Sequence, residues 1–175
     1  DPRRIHTTGF SQGAAISFRV ACSLPERIAS AAGVGFYLFL NENNEDYSDC
    51  TLGRPFSAMQ IHGTADAAVP YDGMEWAGYT FPSVPESIEF WAAKNNCASE
   101  FSTTELEDMV VSDSSTVSRI EYSNCDDGVE VVLYRVNNGG HTWPGGGHQP
   151  AGWGVVNKDF TASERIWDFF EKNPM

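Results

Sequence analysis

A serine between two glycines, Gly9-Phe10-Ser11-Gln12-Gly13, constrains this chain more than any other stretch. Arg4 to Thr8 before it is an extended run, in which Ile5 to Thr8 reads as a buried strand entering the turn. Ala14 to Cys22 after it reads as a helix, with Ile16 and Val20 spaced for one face and Pro25 as the stop. The segment is therefore a strand, a tight turn and a helix, with a serine at the apex. Such a turn holds the serine in a strained conformation with its hydroxyl exposed above the sheet. The flanking glycines let strand and helix approach where a Cβ would clash. In a chain rich in Gly and Ser the pattern also arises by chance, so its weight depends on the residues farther along the chain.

Two later segments supply that context. His62-Gly63-Thr64-Ala65-Asp66 comes after a strand-like run, Phe56 to Ile61. Gly139-Gly140-His141-Thr142-Trp143-Pro144-Gly145-Gly146 comes after another, Val129 to Val136. The order is Ser, Asp, His, with acid and base each on a loop just after a strand. It is the order of the α/β-hydrolases and differs from those of chymotrypsin and subtilisin. Asp66 has a rival in Asp72, which also suits a turn with Gly73; His141 has a rival in His148 of the same Gly- and Pro-rich loop. Position straight after the strand favours Asp66 and His141.

The rest of the chain alternates strands and helices. Ile28 to Val34 reads as a buried strand, Phe36 to Leu40 as a bulky apolar run, and Asn41 to Arg54 as a polar loop carrying Cys50. Ser83-Val84-Pro85-Glu86 has the form of a capping box, and Ile88, Trp91 and Ala92 come next at helical spacing. Thr103 to Asp127 is polar and turn-rich around a candidate strand, Val117 to Tyr122. Thr161-Ala162-Ser163-Glu164 is a second capping-box pattern before the apolar stripe Ile166, Phe169 and Phe170. This alternation implies the α/β class, with a mostly parallel sheet and flanking helices. No linker is visible, so 1–175 reads as one domain. The chain begins at Asp1 and its first strand leads straight into the serine turn. The expectation is therefore the C-terminal part of a longer enzyme, with N-terminal strands and the second oxyanion donor missing.

Charge narrows the partners. The net charge is −13 and the sequence pI about 4.5. No basic patch for nucleic acid is visible, and an anionic membrane surface would repel the chain. The longest low-charge apolar run, Ile28 to Leu40, is too short to span a bilayer. Neither nucleic acid nor membrane is expected as a partner, and a monomer is expected. The cysteines Cys22, Cys50, Cys97 and Cys125 form no C-x-x-C pair, which argues against a zinc knuckle. Their even number suggests two disulfides and an extracellular setting, against the alternative of four buried thiols. Sequence alone does not choose among three connectivities. Cys22 with Cys50 and Cys97 with Cys125 is preferred, because each pair brackets one excursion of the chain.

The sequence resembles the secreted poly(3-hydroxybutyrate) depolymerase and feruloyl esterase branch of the α/β-hydrolases. The resemblance rests on Asp1 to Arg4, Gly9 to Gly13, His62 to Asp66 with Val69-Pro70-Tyr71, Phe90-Trp91 running into Cys97, and Gly139 to Gly146. It spans most of the chain, and Gly139 to Gly146 is its most specific part. It implies Ser11 as nucleophile, Asp66 as triad acid and His141 as base, and its cysteine placement supports the preferred pairing. Phe36 to Leu40 is bulkier than the resemblance leads one to expect.

A serine hydroxyl becomes a good nucleophile when a base takes its proton. A histidine titrates in the right range to do so, and an aspartate fixes its tautomer. The N–H of Gln12, the residue after the serine, would serve the oxyanion. His62 and His6 read as structural. Trp143 and Tyr71 are candidate substrate contacts, with Trp76 and Trp153 as weaker candidates for a rim. The function implied is hydrolysis of short-chain or polymeric esters, or of feruloyl or acetyl esters on plant polysaccharide, without metal or organic cofactor. Two rivals stand beside it: a serine peptidase of the prolyl oligopeptidase type and a non-catalytic polymer-binding module.

Overall fold

Small and β-branched residues build the centre of the sheet. The computed structural model describes residues 1–37, 50, 53–147 and 149–175. In it, β2 (Ser30–Val34) and β3 (Ser57–Gly63) are buried at every position. That is the signature of strands covered on both faces. The elements before them are β1 (His6–Phe10) and α1 (Gln12–Ser23). After them come β4 (Met74–Trp76), β5 (Tyr79–Phe81), α2 (Val84–Lys94), β6 (Phe101–Glu105), β7 (Thr116–Tyr122), β8 (Val131–Asn137) and α3 (Ala162–Lys172).

Among the described residues, six strands form one sheet in the order β1-β2-β3-β8-β7-β6. β1, β2, β3 and β8 run parallel, with Gly9 beside Gly33, Gly33 beside Gln60 and Ile61 beside Tyr134. β7 and β6 extend the sheet antiparallel, and β4 pairs with β5 in a separate hairpin. This is the α/β architecture with a mostly parallel sheet that the sequence implies. One face packs Phe18 of α1 and Ile88 and Trp91 of α2 against Ala58 and Leu133. The other packs Ile166 and Phe169 of α3 against Met59, Ile61, Val132 and Tyr134. Successive residues of β3 therefore feed opposite cores, as a strand's period of two requires.

Both disulfides take the preferred pairing, Cys22–Cys50 and Cys97–Cys125. The first ties the last turn of α1 to Cys50. The second ties the segment after α2 to the one before β8.

Several local expectations need correction. β1 is only partly buried, because it stands at the edge of the sheet among the described residues. Ile16 is 62% exposed; the inward face of α1 is Ala14, Ser17, Phe18 and Ala21, where small residues let the helix lie close to the sheet. Thr161 makes no side-chain cap, so the second capping box does not form. The run 103–127 begins inside β6, whose five residues are all exposed. Of the apolar run Phe36 to Leu40, Tyr37 is buried, donating its hydroxyl to the Pro70 carbonyl at 2.5 Å. Leu38 to Leu40 lie outside the described residues, as does most of the polar loop after them.

Candidate active site

The elbow between β1 and α1 gives Ser11 a backbone that a non-glycine residue rarely adopts, φ 55° and ψ −127°. Two contacts fix it. The Ser11 N–H donates to the Val34 carbonyl at 2.8 Å. Gly9 meets Gly13 so closely that a Cβ on Gly9 would lie 2.3 Å from the Gly13 carbonyl carbon. Ser11 occupies the N-cap of α1, where a serine side chain ordinarily accepts a first-turn N–H. Here it makes no such bond, and its Oγ stands 3.0 Å from His141 Nε2.

Asp66 is buried just past the end of β3. Its Oδ1 accepts the N–H groups of Ala68 at 2.9 Å and Val69 at 2.7 Å. Its Oδ2 lies 2.7 Å from His141 Nδ1. A carboxylate accepts only, so Nδ1 carries the imidazole proton and Nε2 is left to accept from the Ser11 hydroxyl. His62 lies beneath this turn. Its Nε2 donates to the Val69 carbonyl at 2.9 Å and is 3.5 Å from Asp66 Oδ2. Burial pushes His62 below the ordinary histidine range, an effect the Val69 carbonyl and Asp66 only partly oppose, so His62 is neutral.

The loop after β8 holds His141 from both sides. The His141 N–H donates to the Trp153 carbonyl at 2.7 Å, and the Gly140 N–H to the Val155 carbonyl at 2.9 Å. Farther on, the Gly145 N–H donates to the Asn157 carbonyl at 2.8 Å, and the Ala162 N–H of α3 to the Pro144 carbonyl at 3.0 Å. Aromatic rings border the imidazole: Phe10 at 4.7 Å and Trp153 at 5.2 Å between centroids. Gly35, with φ +67°, passes close by; a Cβ there would lie 3.0 Å from the Phe10 ring.

The structure thus brings Ser11, Asp66 and His141 into one hydrogen-bonded line. Gln12 is the first residue of α1, where backbone N–H groups lack intrahelical partners. Asp72 is exposed beside Gly73, and it is Asp66 that meets the imidazole. His148 lies outside the described residues. Trp143 packs edge-on to Phe10 and donates its Nε1–H to Ser163 Oγ at 3.1 Å. Tyr71 sets its ring against His62. Trp76 is 64% exposed in the β4–β5 hairpin. His6 donates or accepts at Ser30 Oγ, 2.8 Å away, and stacks on Phe170. That Phe10 and Trp153 flank His141 escapes a reading of the sequence. The available signals are slight: Phe10 precedes the serine, and Trp153 sits between Gly152 and Gly154, both at positive φ.

The family model described as phospholipase/carboxylesterase matches residues 1–109, which include Ser11 and Asp66. This chain belongs to the phospholipase/carboxylesterase family. Feruloyl esterase B of Piromyces equi is 31% identical over 164 residues, covering 90% of this chain and 28% of that protein. The putative esterase NocK of Nocardia uniformis subsp. tsuyamanensis is 27% identical over 182 residues, covering 97% of this chain and 51% of that protein. Acyl-protein thioesterase 1 of Eremothecium gossypii is 37% identical over 83 residues, 46% of this chain and 33% of that protein. The chain therefore spans about half, or less, of the length of these relatives. Membership of the carboxylesterase family and the mostly parallel sheet together identify the α/β-hydrolase fold.

Proposed function

We propose that this member of the carboxylesterase family is a serine ester hydrolase, with Ser11 as nucleophile, His141 as general base and Asp66 as the acid that orients it. The observation that carries the reading is the Ser11 Oγ to His141 Nε2 distance of 3.0 Å, continued to Asp66 Oδ2 at 2.7 Å. His141 takes the hydroxyl proton as Oγ bonds to the ester carbonyl carbon. The oxyanion that forms receives the Gln12 N–H, a donor whose loss typically costs about 3 kcal/mol. His141 then returns the proton to the departing alcohol, and water repeats the cycle on the acyl-serine. The buried Asp66 holds the imidazole in its Nδ1–H tautomer and balances the imidazolium.

Short-chain or polymeric esters of the poly(3-hydroxybutyrate) kind are the first substrate reading. Feruloyl or acetyl esters on plant polysaccharide are the second, favoured by the similarity to feruloyl esterase B of Piromyces equi. Two disulfides favour an extracellular enzyme. The enzyme is read as a monomer.

Hydrolysis of p-nitrophenyl butyrate by the full-length protein, beside Ser11→Ala, tests the chemistry. The variant should lose at least about 10⁴-fold in kcat. Equal rates, or none in either protein, would remove the reading. Polyester film against feruloylated xylan then separates the two substrate classes.

A further inference from the structure

The base of a serine esterase hands its proton to the leaving alcohol, so the alcohol half of the ester departs past the imidazole. The acyl half stays bonded to Ser11. A solvent-open surface beside the imidazole is therefore the place to look for contacts with the alcohol.

Trp153 has both properties. Its indole stands edge-on to His141 at 64° with centroids 5.2 Å apart, and it also touches Phe10 at 5.8 Å. It is 37% exposed, whereas His141 is 4% exposed. Its carbonyl accepts the His141 N–H at 2.7 Å. Gly140 is packed against the same carbonyl, where a Cβ would come to 2.1 Å. The main chains that carry the indole and the imidazole are thus fixed to one another, and the indole rests on both the imidazole and Phe10. Trp143 differs: its indole N–H is engaged with Ser163 and its ring packs on the core beneath α3.

Resting on the serine-esterase reading of Ser11 and His141, we propose that Trp153 is a specificity-determining residue. Its exposed indole walls the site of the leaving alcohol and favours alcohols that carry an apolar or ring-shaped face. An indole offers such a group a rigid, flat contact with little conformational entropy to lose.

The test uses two ester series on the full-length protein. One holds the acyl group at butyrate and varies the alcohol through methanol, butanol and benzyl alcohol. The other holds p-nitrophenol and varies the acyl chain from acetate to octanoate. In the unaltered protein kcat/KM rises from methyl to benzyl butyrate. Trp153→Ala should lower the benzyl-to-methyl ratio by about tenfold and leave the acyl-series ratios within about twofold. Trp153→Phe keeps a smaller ring at the same place and should lower the alcohol ratio by about threefold. Thermal unfolding shows which variants are folded, and the Phe variant decides if the Ala variant is not. Equal loss in both series would make Trp153 only a support for His141, and an unchanged alcohol ratio would remove any role; either result overturns the proposal. If the unaltered protein cleaves no ester, the esterase reading fails first and this inference falls with it.

Discussion

At the start of α2, Ser83 and Glu86 exchange side-chain hydrogen bonds; at the start of α3, Thr161 and Glu164 have the same spacing and make only a main-chain bond, Glu164 N–H to the Thr161 carbonyl. Ser83 Oγ accepts the Glu86 N–H at 3.2 Å, and Glu86 Oε2 accepts the Ser83 N–H at 2.7 Å. The Ser83–Glu86 hydrogen bonds are exposed and complete the cap locally, while the first helical N–H, that of Val84, goes to the Tyr71 carbonyl at 2.8 Å. The start of α3 faces the loop that bears His141. Its Ala162 N–H goes to the Pro144 carbonyl, and Ser163 Oγ receives the Trp143 indole N–H. Thr161 lies against Gly145, so close that a Cβ on that glycine would be 2.7 Å from the Thr161 Cα. One motif therefore serves two ends. Where its side chains meet water it caps a helix. Where the His141 loop packs on the helix start, the Ala162 N–H and the Ser163 hydroxyl hold that loop, and the Thr161 side chain makes no cap.

The contrast breaks most severely at Gly145. Its φ is +69°, and a Cβ would lie 2.6 Å from the Phe160 carbonyl oxygen. Gly145→Ala should push the His141 loop off α3 and lower kcat/KM for p-nitrophenyl butyrate by about 10²-fold, the scale of a misplaced catalytic group. Stability should fall by about 2 kcal/mol. Activity unaffected in a destabilised protein would show that α3 does not position the loop.

Ser83→Ala is the mirror experiment. Urea unfolding at pH 7 should show a loss of about 1 kcal/mol, with kcat per folded molecule unchanged. Hydrogen bonds from the Ser83 side chain and main chain hold the Glu86 carboxyl below its ordinary range. A carboxylate lowered in the folded state adds stability above its unfolded pKa, and that stability is lost as pH falls through the folded value. The gap between Ser83→Ala and the unaltered protein should therefore narrow below about pH 4. The smallest effect belongs to Thr161→Ala, within about 0.5 kcal/mol in the same titration, because no cap is lost. A loss equal to that of Ser83→Ala would mean that the Thr161 hydroxyl caps α3 after all.

How far the sequence is legible obeys the same division. β2, β3 and β8 announce themselves as apolar runs because both of their faces are covered. The Ser83 box and the stripe Ile166, Phe169 and Phe170 are equally local signals, and so is the serine elbow. β6 carries no such signal: Phe-Ser-Thr-Thr-Glu is exposed throughout and is a strand only because β7 lies beside it. The hairpin β4–β5 has three-residue strands turning at Ala77 and Gly78, too short for any period to show. In α1 the apolar Ile16 points to the wrong face, because close packing on the sheet selects small residues instead. Ser11, Asp66 and His141 can be read from their order after strands. Phe10 and Trp153 beside His141 cannot, since no spacing or residue pattern encodes a ring contact.

The hydrogen-bonded line at the candidate site spans 75 residues from Asp66 to His141 and 130 from Ser11 to His141. Its members hang on β1, β3 and β8, and β3 reaches β8 only after the whole excursion through α2, β6 and β7 has closed. Pairings of such long range are late and slow events in folding, since loop closure precedes any return from the contact. The Ser83–Glu86 cap of α2 is local and requires no member of this line. Esterase turnover, on the reading proposed here, would thus be a clock for the last step of refolding, ticking only after the helical signal has already returned.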